Sequence, residues 1–316
     1  MRYKRGMPQH TPRKSPLVRS TRSYPLAMIE DGSLILELLV SLRFATGAQV
    51  QRIVFNATSP SQRQARHRST RALRRLFDAG SIRRVSVFAP SSTGRMSMQV
   101  VNVLSAAGAR TVGVDPDWIR RRTPKDGDIL THDSWLAELA VRAMEGCPEQ
   151  LAVTTWWDDR VLAGRKRQGL LSLPTIPDGL LVVEHLESGK VFPNLVELDL
   201  GTESVVGVRS TRRDVSRKIE GYLDYLGQSF RQEFGIDAPP IVLIVTDSER
   251  RLESLRELTH KLGGGGRFWF STMERLRRHQ GNETTPSAVL QGPFWASNWQ
   301  TAHDAGWRSL GARCGV

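Results

Sequence analysis

Three acids along one short stretch, Asp178, Glu197 and Asp199, carry the most specific chemistry in this chain of 316 residues. Asp178 lies in a Pro-Asp-Gly tripeptide ahead of an apolar run, and Glu197 and Asp199 flank Leu198 in the next run, NLVELDL. Alternate residues of a strand share a face, so Glu197 and Asp199 project together, and a cluster with Asp178 is geometrically reasonable. Carboxylates that converge in this way can bind Mg2+ or Mn2+, which activates water and stabilises a leaving phosphate oxygen. The plainer reading is hairpin punctuation, since Pro-Asp-Gly is a turn signal whatever the function, and the acidic pair then marks a solvated strand face. Lys218, Tyr222 and Tyr225 follow at i, i+4 and i+7 on one helical face, the two tyrosines reading first as core or groove aromatics.

Other chemistries find little support. His132 and His185 have no partners at metal-ligand spacing and read as structural histidines. No Ser-His-Asp arrangement or nucleophile elbow appears, and no tyrosine has the context of a strand-transfer nucleophile. Gly263 to Gly266 follow a helix and lead into a strand without the Gly-Lys-Ser or Gly-Lys-Thr of a phosphate loop. Cys147 and Cys314 are far apart and in no CxxC pattern, which indicates neither a zinc site nor a disulfide framework.

The acids need a scaffold, and the apolar periodicity supplies one. It predicts a helix over 132–144, strands over 150–157, 178–186 and 192–200, a long helix over 214–234 and a buried strand over 241–246. A helix over 249–262, the strand RFWFST and a short helix over 273–278 follow, and a Trp-rich tail shows no assignable period. The fold class is α/β (α+β), and the αβββαβ order resembles the core of the PD-(D/E)XK nuclease superfamily, which keeps its metal ligands where Asp178 and Glu197 fall. That resemblance implies Mg2+ or Mn2+ held by Asp178, Glu197, Asp199 and, from the preceding helix, Glu138. Asp199 stands where an active enzyme of that kind usually carries a water-positioning Lys. In several such nucleases the Lys has moved to the next helix, where Lys218 lies, which makes Asp178, Glu197 and Lys218 the catalytic candidates.

Charge divides the chain. Residues 1–122 hold 22 Lys or Arg against six Asp or Glu, a net of +16, whereas the remaining 194 residues hold 23 against 26, a net of −3. That asymmetry is expected of a polyanion-binding module joined to a different working domain. Residues 1–30 read as a disordered basic arm. A helix capped by Asp31 or Ser33, a second over 48–55 and the Arg-rich stretch 61–84, stopped by Gly80, precede a hairpin of RRVSVFAP and MSMQVVNVL. Three helices and a hairpin are the order of a winged helix-turn-helix over 31–115. Its third helix would bring Arg63, Arg66, Arg68, Arg71, Arg74 and Arg75 to double-stranded DNA, with Arg83, Arg84 and Arg95 of the hairpin reaching phosphates. A linker over 116–130, a nuclease-like domain over 131–280 and an irregular tail over 281–316 complete the expected organisation.

The mildly negative mean hydropathy and the lack of any apolar run of about 18 residues argue against a membrane partner and for a cytoplasmic protein. Winged-helix proteins often dimerise, so a homodimer is open, although no heptad specifies one.

A wider resemblance spans about residues 33–275. RALRRLFDAGSIRR, LSAAG at 104–108, His132-Asp133, Pro177-Asp178-Gly179, ELDLGTE at 197–203 and KIEGYLDYL at 218–226 together resemble the replication-relaxation family of bacterial and plasmid-borne proteins. The resemblance implies DNA binding in plasmid or mobile-element replication, with replication proteins as partners and a nuclease-like C-terminal domain. Two functions follow. One is a metal-dependent DNA endonuclease; the other is a non-catalytic DNA-binding accessory or regulatory factor whose C-terminal domain mediates protein interaction.

Overall fold

The computed structural model describes residues 25, 29, 31–90, 96–122, 131–200, 209–228, 230, 233, 240–277 and 292–316. Most of the basic arm, the hairpin tip with Arg95, the end of the expected linker and part of the tail lie outside the described residues.

The N-terminal unit begins with α1 (Gly32–Leu42), whose Ile35, Leu36, Leu38, Leu39 and Leu42 are buried. Asp31 occupies the N-cap in a left-handed conformation (φ 52°) and makes no side-chain cap, contrary to expectation; its carboxylate lies 3.4 Å from Arg68 instead. Strand β1 (Phe44–Thr46) leads into α2 (Gly47–Val50), which runs on as a π turn over Gln51–Phe55. Thr46 and Gln49 close a reciprocal capping box there. Helix α3 (Gln62–Asp78) starts on a Ser61 cap and buries Ala65, Ser69, Ala72, Leu73, Leu76 and Phe77. Gly80, at φ 78°, ends it in a conformation that β-carbons oppose. Strands β2 (Ile82–Pro90) and β3 (Met96–Leu104) pair antiparallel, and β1 joins β3, giving the order β1-β3-β2.

Helix α4 (Ala106–Thr111) comes very close to Ser81, the residue before β2. A Cβ on Gly108 would stand 2.1 Å from the Ser81 carbonyl oxygen, and Ser105 ties the same turn by donating its hydroxyl to Ser81 O at 2.9 Å. Gly108→Ala should therefore destabilise the protein by about 1–3 kcal/mol or more, because backbone rather than a flexible side chain must give way; urea denaturation checks this.

The stretch read as a linker carries a helix, α5 (Pro116–Arg122), after α4. Asp115 starts it by accepting from the N–H of Asp117 at 2.9 Å and of Trp118 at 3.2 Å. The C-terminal unit then runs α6 (Thr131–Met144), β4 (Leu151–Asp158), α7 (Asp159–Arg167), β5 (Gly179–His185), β6 (Val191–Asp199), α8 (Arg209–Gln228), β7 (Ile241–Thr246), α9 (Glu249–Lys261) and β8 (Phe268–Thr272). Strands β9 (Ser297–Thr301) and β10 (Arg308–Ser309) and the short α10 (Leu310–Arg313) complete it. The sheet order is β10-β9-β8-β7-β6-β5-β4, with β6-β7 and β7-β8 parallel and the other neighbours antiparallel. The fold is mixed α/β, as expected.

Both sheet faces are covered, so β7 is buried at every position and reads as a continuous apolar run. One face, with Leu181, Val183, Val196, Leu198, Leu243 and Val245, shares a core with α6 and with Ile35, Leu39 and Leu76 of the N-terminal unit. The other, with Leu180, Leu195, Val242, Ile244, Phe268 and Phe270, packs on α8 and α9 through Ile219, Tyr222, Leu226, Leu252 and Leu255.

Two further expectations are corrected. Residues 273–277 form turns, not a helix, beginning where Met273 N–H donates to Thr246 O at 2.9 Å. The described part of the tail is ordered: β9 and β10 extend the sheet, Trp295 and Trp299 are fully buried, and Cys314 is buried as well. Among the described residues no helix is long and apolar enough to cross a membrane.

Candidate functional site

Strand alternation aims Glu197 and Asp199 at α8 and α9, on the same face as Leu195. Asp178, just before β5, reaches the same place because β5 and β6 are paired neighbours. A cleft of about 190 Å³ results, lined by His132, Asp178, Glu197, Asp199, Lys218 and Tyr222 with an apolar floor of Ile219, Ile244 and Leu255. Asp178, Glu197 and Lys218 are thus brought together as the sequence suggested.

Each acid has its partners. Asp178 Oδ2 accepts from the Leu198 N–H at 2.8 Å and lies 3.3 Å from His132 Nε2. Burial pushes the Asp178 carboxyl up, but the His132 contact, the Lys218 charge and the Leu198 N–H outweigh it and hold the group below the usual carboxylate range. His132, also 3.1 Å from Leu198 O, is lowered by burial yet ends above its ordinary value because Asp178 faces it. Glu197 accepts from Lys218 Nζ on one oxygen and from the Tyr222 hydroxyl on the other. Burial dominates there, offset in part by Lys218, and the carboxyl is pushed up to about 7. Burial and the neighbouring Glu197 hold the Tyr222 phenol well above its ordinary range. Asp199 takes Arg251 Nε at 3.0 Å.

His132 and Arg251 were missed as site residues. Forty-six and fifty-two positions separate them from Asp178 and Asp199 respectively, and nothing in local spacing reveals such contacts. Tyr225 turns elsewhere and donates to Glu233 at 2.6 Å. Glu138 does not join the cleft. It follows His132 by six residues, about 240° around the helix, and is held by Arg52 at 2.8 Å, Arg142 at 2.9 Å and Gln49 at 3.1 Å, where α6 meets the N-terminal unit.

The donor set as arranged does not fit Mg2+ or Mn2+. Both Glu197 oxygens serve Lys218 and Tyr222, Asp199 serves Arg251, and Asp178 serves His132 and a backbone N–H. Among the described residues no group of three or more His, Cys, Asp or Glu is placed to hold a metal ion.

The cleft should leave a mark on stability. Glu197 holds its proton more tightly folded than its ordinary value of 4.5 implies, so its contribution is complete below that value and is lost as pH rises through about 7. His132, raised above 6.5, works in the same direction at slightly higher pH. Asp178, held below 3.8, opposes them only in stronger acid. The free energy of unfolding should fall from about pH 5 to 8, and Glu197→Gln should flatten that fall; denaturant titrations across the range test it.

The predicted arginine face divides in two. Arg63, Arg66, Arg71 and Arg83 are exposed, and Arg75 is half-buried. Arg63 and Arg66 line a groove with Gly47, Ala48, Gln51, Gln62 and Thr70, between α2 and the start of α3. Arg68 is committed internally, donating to Thr58 O and Ser59 Oγ at 2.8 Å and stacking on Phe55. Arg74 pairs with Asp78 at 2.9 Å. Arg84 stacks on Phe77, its guanidinium lowered by burial and by Arg74.

Compared with curated proteins and with solved structures, the chain gives no match. Compared with protein families, residues 36–236 match replication-relaxation, a stretch that takes in α3, the hairpin and every residue of the acid cleft except Ile244, Arg251 and Leu255. The match covers well over half of the chain, which therefore belongs to the replication-relaxation family, and that membership suggests a role in replication or DNA processing.

Proposed function

We propose that this protein binds double-stranded DNA through the exposed face of α3, as a non-catalytic factor in replication or DNA processing. The observation that carries the reading is the order α1-β1-α2-α3-β2-β3 with Arg63, Arg66 and Arg71 on the outer side of α3. In a winged helix-turn-helix that side enters the major groove and the hairpin follows the backbone. Guanidinium groups there contact phosphates, displace condensed counterions and give affinity with little sequence information. The groove beside Arg63 and Arg66 adds Gln51, Gln62 and Thr70, polar side chains suited to base edges or sugar oxygens.

The acid cleft supports this reading by its charge balance: a carboxylate cluster closed by Lys218, Arg251 and His132 is a polar interior that braces β5, β6 and α8. A second reading, phosphodiester hydrolysis, draws on the convergence of Asp178, Glu197 and Lys218 in that cleft. Fluorescence anisotropy with a labelled duplex, repeated across salt concentrations, tests the first reading. Binding with log K falling linearly in log salt is expected; no binding at about 50 mM salt would sink it.

A further inference from the structure

Helix α7 reverses the local sign of charge. Among the 194 residues after position 122, whose net charge is −3, residues 159–167 hold Arg160, Arg165, Lys166 and Arg167 against Asp159 alone. The helix macrodipole favours the three cations of the last turn but opposes Arg160 in the first, so helix stability accounts for the last turn and not for Arg160. The start of α7 is secured separately by Asp158, which accepts from the Val161 N–H at 3.0 Å.

These cations border a roomy cleft of about 650 Å³, with Trp118 of α5 and with Arg160, Arg165 and Arg167 in its lining. The Arg165 guanidinium lies over the Trp157 ring, 4.1 Å from its centre, and its buried Nε has no hydrogen-bond partner. Arg167 is exposed. Asp159 is the acid of the lining, and its carboxylate lies 3.9 Å from Arg43. A cationic cleft with a tryptophan wall suits a chain of phosphates whose sugars or bases need apolar contact.

We propose that this cleft is a second nucleic-acid contact, taking the phosphodiester backbone of a DNA strand against Arg160, Arg165 and Arg167 with Trp118 as its apolar wall. It rests on the DNA-binding reading above. The test uses the full chain with Arg160→Gln and Arg167→Gln combined, and labelled duplex and single-stranded oligonucleotides as probes, with anisotropy read across salt. For the strand type that occupies the cleft, affinity should fall on the order of tenfold or more near 0.1 M salt and the salt slope by about 2. Wild-type affinity and slope on both probes would overturn the proposal. If the double variant unfolds, Arg167→Gln alone, an exposed change, should lower the slope by about 1, and an unchanged slope again overturns it. The two sites fail separately: a variant of Arg63, Arg66 and Arg71 that loses duplex binding, beside an α7 variant that keeps binding to both probes, removes this site and leaves the first. The opposite pattern leaves this site and removes the first.

Discussion

Replacing Arg63, Arg66 and Arg71 together by Ala should weaken duplex binding on the order of 100- to 1,000-fold near 0.1 M salt and reduce the salt slope by about 3. Each guanidinium is exposed on α3, and each phosphate contact contributes about 0.9 to the slope. The loss should be similar across DNA sequences, because phosphate contacts carry no base information. Stability should change little, since none of the three side chains is buried. Arg68→Ala provides the contrast. Its guanidinium holds Thr58, Ser59 and Phe55 within the unit, so it should cost stability while leaving the slope nearly unchanged. Equal slope losses in Arg68→Ala and in single variants of the exposed arginines would contradict the division of the helix into outer and inner cations.

The second large effect concerns the tail. Trp299→Ala should destabilise the protein by about 3–5 kcal/mol in urea denaturation, the usual cost of deleting a buried aromatic. Trp299 is fully buried, donates its indole N–H to Phe294 O at 2.8 Å and meets the Phe294 ring edge-on at 5.5 Å. Trp295 anchors the same corner by donating to Ala143 O of α6 at 3.0 Å. The change therefore removes the aromatic packing of β9 on Phe294 at this corner. A loss below about 1 kcal/mol would mean that this corner adds little to the fold.

The tail also marks where sequence reasoning ran out. Ser297–Thr301 and Arg308–Ser309 are too short for alternation to stand out, and Trp295 beside them is anchored by Ala143, more than 150 positions away. Helix α7 was missed for a related reason: it buries only Leu162, so no apolar stripe announced it, although Asp158 as a cap and the basic last turn were available signals. By contrast β7, buried at every position, was legible as an apolar run with its limits. The shared face of Glu197 and Asp199 followed from period two alone, and Lys218 and Tyr222 from helical spacing.

The cleft was thus half readable. Periodicity places residues within an element and is silent about which elements meet, so His132 and Arg251 escaped notice. Glu138 failed on a point that helix geometry could have settled. It stands six residues beyond His132, and the two point to different sides of α6, one to the cleft and the other to Arg52 and Arg142. The arginines of α3 were legible as one basic helix, but composition could not separate those bound to Asp78, Thr58 or Phe77 from those left outside.

The most direct test is one gel: purified full-length protein incubated with supercoiled plasmid in Mg2+ and in Mn2+, beside EDTA and Glu197→Ala controls. A DNA-binding factor with a charge-closed cleft predicts retarded plasmid that remains supercoiled in every lane. Unretarded plasmid at low salt, or metal-dependent nicking that disappears with EDTA and in Glu197→Ala, would contradict it.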